Sequence, residues 1–579
     1  MSSVAFDTNL LAMFQKHAAE EGDNPFLWQK QEGVYRPWSW RRVAEEAERL
    51  TRALVQLGLE PGDRVVLVAD NRPEWCIADL AVLGAGGITV PAYTTNTERD
   101  HAYILNHAEA AMVVCAGGSI AKRLVPAIKQ AASVQTVLLM EPLTGADELP
   151  VSVIAWNDAL ALGDRSPAVD RGAALQPGDT ACFIYTSGTG GTPKGVMQTH
   201  KNIMTNLEGA YELVKQLGLG NRERFLSFLP LSHSYEHTAG QFFPISIGAE
   251  IYYAEGVETL STNLTEARPT ILTCVPRLYE VLRQKILTGV NRQGGAKAKM
   301  FELALKLGTK RYEQEGRLNP VDGALDRLLE KLVRTKVRER FGGELKAMVS
   351  GGAPLNYDVG VFFVALGLPV LQGYGQTEAA PVISANPPHR PRLDTVGPPF
   401  KDVEVKIADD GEILVRGCNV MPGYWKDDDA TVRTIVDGWL HTGDVGVIGA
   451  DGYLKITDRK KDIIVNSGGD NVSPQRVEGV MILESAIAQA FIFGDKKPYL
   501  VALIVPDQDA VKAYAREIGK PSDFAEIAKE PGFRQQIGEA VKRANANLSA
   551  IERIRKFEVM TEPFSVENSM MTPTLKLRR

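Results

Sequence analysis

Ala181-Cys182-Phe183-Ile184 runs directly into Tyr185-Thr186-Ser187-Gly188-Thr189-Gly190-Gly191-Thr192-Pro193-Lys194-Gly195. The first four residues are apolar on both faces of an extended chain and read as a buried strand. The remainder is a glycine-rich exit from that strand. Its glycines let the backbone turn tightly and bring amide hydrogens up to a ligand. Hydroxyls of Thr186, Ser187, Thr189 and Thr192 and the ammonium of Lys194 complete a surface suited to an oligophosphate. Lys194 lies between Pro193 and Gly195, so the Gly-Lys-Ser/Thr ending of a Walker loop is absent.

On the N-terminal side the same strand type recurs. Val43, Ala47, Leu50, Leu54 and Leu57 fall on one face of a helix from Trp40 to Gly58. Pro61-Gly62-Asp63 then turns the chain into the apolar strand Val65–Ala69, and Pro73 opens a second helix. Strands are read again at Met112–Cys115, Thr136–Met140, Phe225–Leu229, Ile251–Tyr253, Ile271–Thr273 and Ala347–Val349. Strands apolar on both faces, alternating with helices, predict an α/β fold of parallel-rich sheets covered by helices. Beyond Asn386, prolines give way to short strands separated by Asp-Gly pairs at 410–411, 437–438 and 451–452. Such pairs signal hairpins, so a small antiparallel β unit is expected over 401–457. Asp458-Arg459-Lys460-Lys461-Asp462 reads as a charged joint that no core would accept. The predicted domains are therefore 1–457, with sheet subdomains over 1–400, and a C-terminal α+β unit over 458–579. Its first long helix is expected to start with Ser473 as cap and Pro474 as first residue.

The 579 residues suffice for several cores. Apolar residues make up 44% and charged residues 23%, ordinary for a globular protein. Lys plus Arg is 65 and Asp plus Glu is 71, a net charge of −6, so no global basic excess points to nucleic acid. Cys76, Cys115, Cys182, Cys274 and Cys418 show neither metal nor disulfide spacing and read as buried thiols in a reducing, cytoplasmic compartment. The N-terminus has no secretory pattern, and no window is apolar enough to span a bilayer. Residues 281–345 carry 15 Lys or Arg against 8 Asp or Glu. They read first as a solvated pair of surface helices, and second as a docking face for anionic lipid at the inner face of the membrane.

Two further glycine-rich exits follow apolar strands: Ser350-Gly351-Gly352-Ala353-Pro354 and Gly373-Tyr374-Gly375-Gln376-Thr377-Glu378. In the second, Tyr374 offers a flat surface for a base, Thr377 a donor, and Glu378 an oxygen ligand suited to Mg²⁺ beside phosphates. Open α/β sheets build their sites where strands end, so three such exits support one another. Asp444, in Trp439-Leu440-His441-Thr442-Gly443-Asp444, suits a ribose diol. His233-Ser234-Tyr235-Glu236-His237 matches the spacing of a zinc hydrolase, but it follows a loop signal and has no evident third ligand.

Taken in order, these motifs, with Asp458–Val465 and Thr572-Pro573-Thr574-Leu575-Lys576, resemble the AMP-forming acyl-CoA synthetases within the adenylate-forming ligase superfamily. Bacterial long-chain fatty-acid–CoA ligases are the nearest match. The resemblance implies that a fatty acid attacks the α-phosphate of Mg·ATP, giving acyl-adenylate and pyrophosphate, and that coenzyme A then displaces AMP. It places Thr186, Ser187, Gly188, Thr189, Gly190 and Lys194 around the outer phosphates, and Gly352, Ala353, Pro354 and Tyr374 at adenine. Thr377 falls near the α-phosphate, Glu378 and Thr186 at Mg²⁺, and Asp444 and Arg459 at the rest of the nucleotide. Lys576 bridges carboxylate and phosphate, and His233 lines the acyl and thiol channel. Asp458 is the hinge about which the C-terminal domain rotates, bringing Ser467, Gly468 and Gly469 to the thiol. The chain departs from that pattern at Asp470, where relatives often carry lysine, and at His237, where some carry a bulky gate residue. It also ends three residues after Lys576, short of a further helix. The alternative readings are a medium-chain, aryl or polyketide-like acid, a carrier protein as acceptor, or a non-catalytic nucleotide-binding scaffold.

Overall fold

The apolar runs do form strands, and they sort into two large sheets. The computed structural model describes residues 9–578 apart from 187–191, 221, 257, 468–469, 566–567, 569 and 573–576. In chain order the strands are β1 (Pro25–Gln31), β2 (Val34–Ser39), β3 (Arg64–Val68), β4 (Ile88–Pro91), β5 (Ala110–Cys115), β6 (Thr136–Leu139) and β7 (Ser152–Ala155). There follow β8 (Thr180–Thr186), β9 (Lys194–Thr199), β10 (Arg224–Ser227), β11 (Glu250–Tyr253), β12 (Ile271–Cys274), β13 (Ala347–Ser350), β14 (Val370–Gly375) and β15 (Val382–Ala385). One sheet has the order β7-β6-β5-β3-β4-β8-β9 and the other β15-β14-β13-β12-β10-β11-β1-β2. Both are parallel except for the edge strands β9, β15 and β2, each antiparallel to its neighbour.

The largest core cluster takes residues from both sheets, Val65 and Ile184 from one and Phe225 and Ile251 from the other. Between them lie the helices Leu10–Glu21, Trp40–Gln56 and Pro73–Gly84. Trp40 sits at the helix start expected for it, with Ser39 as cap, and stacks on Phe26 with ring centroids 3.7 Å apart. Beyond Glu74 in its first turn, the helix Pro73–Gly84 is buried all round, and Asp79 is the one charged residue among those buried positions. A lone carboxylate there needs partners, because desolvating an unpaired charge is costly. It finds them in His237 Nε2 at 2.9 Å and Gln241 Nε2 at 2.8 Å.

A third, antiparallel sheet is formed by β16 (Val403–Ile407), β17 (Glu412–Gly417), β18 (Ile435–Val436), β19 (Trp439–Ile448) and β20 (Leu454–Arg459). Gly411, Gly438 and Gly452 all have left-handed φ, which is why the Asp-Gly pairs turn the chain there. Strand β20 includes Asp458 and Arg459, and Asp458 is buried. The charged joint thus starts inside a sheet, contrary to its reading as a stretch no core would accept, because cross-strand pairing with Val445 holds Asp458 in place.

After it come β21 (Ile464–Val465), β22 (Asn471–Val472), β23 (Ile487–Phe493), β24 (Leu500–Pro506) and β25 (Ile554–Val559), packed with helices around a core of their own. Ser473 caps the helix Pro474–Met481, as its sequence predicts. This unit touches the rest of the chain where Asn356 Nδ2 donates to Gly479 O at 3.0 Å and Arg277 Nη1 donates to Ala488 O at 3.0 Å.

Two expectations need correction. Cys418 lies just past the end of β17 and is exposed, whereas the other four thiols are buried. Residues 281–345 are more than a solvated helix pair. They comprise most of Pro276–Gln293, then Gly295–Glu313, Pro320–Leu329 and Thr335–Glu339, and Arg334 among them is fully buried. Its guanidinium is neutralised by Asp326 at 2.6 Å and also donates to the carbonyls of Ala304 and Ala365.

Candidate active site

Strands β8 and β9 pair antiparallel, with Thr186 opposite Lys194, so the glycine-rich motif joins two adjacent strands of a hairpin. The sequence reading carried no strand at 194–199. The edge of that hairpin is covered by Gly423–Trp425: Met197 N donates to Gly423 O at 3.1 Å and Trp425 N to Gly195 O at 2.8 Å. This contact places the Tyr424 ring beneath Lys194, whose Nζ lies 4.6 Å from its centroid. Tyr424 in turn donates to Glu378 Oε1 at 2.9 Å. Burial first, and then the Glu378 carboxylate, push the Tyr424 hydroxyl well above its ordinary range, so it stays a donor. One aromatic residue therefore joins the hairpin lysine to the proposed metal carboxylate.

Glu378 and Thr377 lie in the tight turn between β14 and β15. Gly375 is required there: a Cβ would come within 1.9 Å of the Pro381 carbonyl oxygen. Thr377 is held from two sides. Gln198 of β9 donates to its carbonyl at 2.7 Å, and Ser234 Oγ lies 3.1 Å from its hydroxyl. Ser234 adjoins His233, whose Nδ1 accepts from Tyr235 N at 3.1 Å and so caps its own turn. The two large sheets meet at this residue.

The helix His200–Val214 locks the junction. Asn202 and Asn206 occupy one of its buried faces. Asn202 Nδ2 donates to the carbonyls of Cys418 and Val420, at 2.8 and 2.9 Å. Asn206 accepts from Val382 N at 2.6 Å and donates to Ala379 O at 3.1 Å. A sheet edge, the Thr377 turn and the antiparallel unit are thereby pinned to one helix.

On the opposite side, Tyr374 donates to Asp444 Oδ2 at 2.7 Å, and Arg459 Nε donates to Asp444 Oδ1 at 3.1 Å. Asp444 and Arg459 face each other across β19 and β20. Burial and the Asp444 charge raise the Tyr374 hydroxyl far above its ordinary range. Asp444 is buried and Arg459 half-exposed, so the carboxylate is oriented while one side of the group stays open. Between β13 and the helix Tyr357–Ala365, Gly352 adopts left-handed φ +81° and presents Ala353 and Pro354 to solvent.

Residues 14–425 match the family described as AMP-binding enzyme, and residues 461–576 match the AMP-binding enzyme C-terminal domain. The chain belongs to the AMP-binding enzyme family. A relative named long-chain-fatty-acid–CoA ligase FadD15, from Mycobacterium bovis, is 33% identical over 580 residues, covering 99% of this chain and 94% of the relative. Long-chain-fatty-acid–CoA ligase 5 of Rattus norvegicus is 31% identical over 600 residues, covering 98% and 86%. The crystal structure of the adenylation domain of a carboxylate reductase from Mycobacterium chelonae shares the fold, with TM-score 0.78 at 22% identity over 98% of this chain and 88% of that one.

Within this family member, Thr186, Lys194, Tyr374, Thr377, Glu378, Asp444 and Arg459 are tied into the contacts above, and His233 adjoins them. Ser467 is engaged within the C-terminal unit, its N–H donating to Lys497 O at 3.0 Å. Ser187, Gly188, Thr189, Gly190, Gly468, Gly469 and Lys576 lie outside the described residues. His237, read as one of a zinc-spaced pair and as a gate position, turns into the core. It is 1% exposed and tied to Asp79, and no cluster of three metal-ligating side chains occurs among the described residues. Sequence reasoning missed Tyr424, Gln198, Ser234 and the Asn202/Asn206 pair. The four-residue spacing of the two asparagines on one helix was the only local signal.

Proposed function

We propose that this protein activates a long-chain fatty acid with ATP and transfers the acyl group to coenzyme A. A carboxylate oxygen attacks the α-phosphorus and pyrophosphate leaves; the thiol sulfur then attacks the acyl carbon and AMP leaves, the thiol proton passing to solvent. The observation that carries this reading is the convergence on Thr377. The hairpin strand holds its carbonyl, the His233 turn meets its hydroxyl, and its neighbour Glu378 reaches Lys194 through Tyr424.

In that reading Lys194 and the hairpin turn neutralise the outer phosphates, and Tyr374 and Asp444 seat the nucleoside. Phosphoryl transfer needs positioned charge more than a proton shuttle, which suits this set of groups. Glu378 with the Thr186 hydroxyl fits Mg²⁺, an ion that takes few protein oxygens beside substrate phosphates. When bound, the ion supplies charge neutralisation at those phosphates. Among the described residues only Oε1 of Glu378 is engaged, by Tyr424, which leaves the other oxygen for such a ligand. Lys576 is assigned to the attacking carboxylate and Asp458 to the hinge between domains 1–457 and 458–579. Ser467, Gly468 and Gly469 are assigned to the thiol. Contact with the inner face of an anionic membrane belongs to the same reading, since long-chain acids dissolve in bilayers.

Transfer to a carrier protein is a second reading, favoured by the acidic Asp470 at the turn beside Ser467. Pyrophosphate release is to be measured against acids of graded length, with coenzyme A or a carrier protein as acceptor. Long-chain acids with coenzyme A should give the highest kcat/KM. Turnover confined to short or aromatic acids, or to the carrier protein, would overturn the assignment.

A further inference from the structure

On the exposed side of residues 320–340, unpaired cations outnumber unpaired carboxylates among the described residues. Of the four acids between 320 and 340, Asp322 pairs with Lys310, Asp326 with Arg311 and Arg334, and Glu330 with Arg338 and Arg334, while Glu339 is exposed with no ion-pair partner among the described residues. Asp326 is buried, and Asp322 and Glu330 are partly covered by these pairs. Arg327, Lys331 and Lys336 are exposed and have no ion-pair partner among the described residues. Along the same side run Val321, Leu328 and Leu332, 76%, 52% and 40% exposed, spaced seven and four residues apart. Val321 and Leu328 share a face of the α-helix Pro320–Leu329, and Leu332 follows in the π-helical turn Glu330–Arg334.

Loose packing does not account for this exposure. Arg334, 0% exposed, bonds Asp326 and the carbonyls of Ala304 and Ala365, and Leu329 and Val333 are buried. The helix is therefore fixed in rotation, with Leu328 and Leu332 held outward. An apolar stripe rimmed by unpaired cations matches the boundary between anionic headgroups and acyl chains.

We propose that the Val321–Leu332 face, with Arg327, Lys331 and Lys336, docks the protein onto an anionic bilayer. The chain as a whole carries a charge of −6, so the attraction has to be local, and this face supplies it. The inference deepens the fatty-acid reading, and rests on it only for the origin of the substrate in that bilayer.

The test is flotation of the full chain with vesicles, without ATP. Binding is expected to an equimolar mixture of phosphatidylcholine and phosphatidylglycerol, with little to phosphatidylcholine alone, and molar salt should release it. The triple variant Arg327→Gln/Lys331→Gln/Lys336→Gln should lower partitioning on the order of a hundredfold. The triple variant Val321→Ser/Leu328→Ser/Leu332→Ser should lower it by a similar order, since each apolar side chain lost weakens insertion. Both variants should keep wild-type acid activation in vesicle-free buffer with a water-soluble acid, which separates loss of docking from loss of fold or function. Failure of the wild type to bind anionic vesicles, or unchanged binding by both variants, would overturn the proposal. So would a doubled hydrodynamic mass abolished by Leu328→Ser, which would assign the stripe to a second copy of the chain.

Discussion

Tyr424→Phe isolates one atom of the site. The ring that carries Lys194 at 4.6 Å remains, and only the hydroxyl that donates to Glu378 at 2.9 Å is removed. A hydrogen bond to a charged group contributes about 1.5–3 kcal/mol. Glu378 is half-buried and can recover a water, so the lower end applies, about 1.5 kcal/mol or roughly tenfold. The loss should appear as poorer orientation of Glu378. In acid-dependent ATP–pyrophosphate exchange, kcat/KM for ATP should fall about tenfold, and half-maximal rate should need more Mg²⁺. Tyr424→Leu also removes the cation–π contact and should lose a further ~0.5–1 kcal/mol. The urea midpoint of Tyr424→Phe should stay close to wild type, since no deeply buried partner is stranded. Wild-type exchange with an unchanged Mg²⁺ requirement would refute the link from Lys194 through Tyr424 to Glu378.

Asp444→Asn keeps the shape but weakens the bonds to Tyr374 and Arg459, so KM for ATP should rise roughly tenfold to a hundredfold; an unchanged KM removes Asp444 from the nucleotide site. Glu236 is fully buried, and burial raises its pKa from 4.5 to about 7 against the hydroxyls of Ser227 and Thr273. Between those values the folded chain holds a proton that the unfolded chain has lost, so stability falls as pH rises through this window, by about 3 kcal/mol in all. Glu236→Gln should abolish that part of the slope in urea midpoints at pH 5 and 8, and parallel slopes for both proteins would contradict it. Asn206→Ala strands the Val382 N–H and the Ala379 carbonyl and should cost about 3 kcal/mol by denaturant titration; a loss within error would show that water replaces the pair. Lys576→Ala should suppress adenylate formation far more than thioester formation from preformed acyl-adenylate, and equal losses would remove Lys576 from the first step.

What was legible in the sequence was local. The Val65, Met112 and Ile271 strands, the Ser473 cap and the three Asp-Gly hairpins depend on neighbouring residues, and each appears where its pattern predicts. The parallel-rich α/β class followed from strands apolar on both faces. The division into two sheets did not, because nothing in a strand's composition records its partner. Strand β9 escaped notice because Lys194-Gly195-Val196-Met197-Gln198-Thr199 alternates weakly and begins inside a loop motif. The glycine-rich exits announced the site, but the groups that hold it are distant in sequence. Asn206 meets Ala379 across 173 positions, and His237 meets Asp79 across 158. Buried polar residues of this kind look like ordinary helix residues until their partners are seen. Arg334 is the same case: in a run rich in lysine and arginine, nothing marks it as the one that turns inward.

In the proposed first step, a carboxylate oxygen bonds to the α-phosphorus of ATP beside Thr377. Turnover of a long-chain acid labelled with oxygen-18 in its carboxylate, with ATP and coenzyme A, tests this by the mass of the released nucleotide. AMP should carry one labelled oxygen and the thioester should retain the other. Unlabelled AMP, or release of ADP, would rule out that bond.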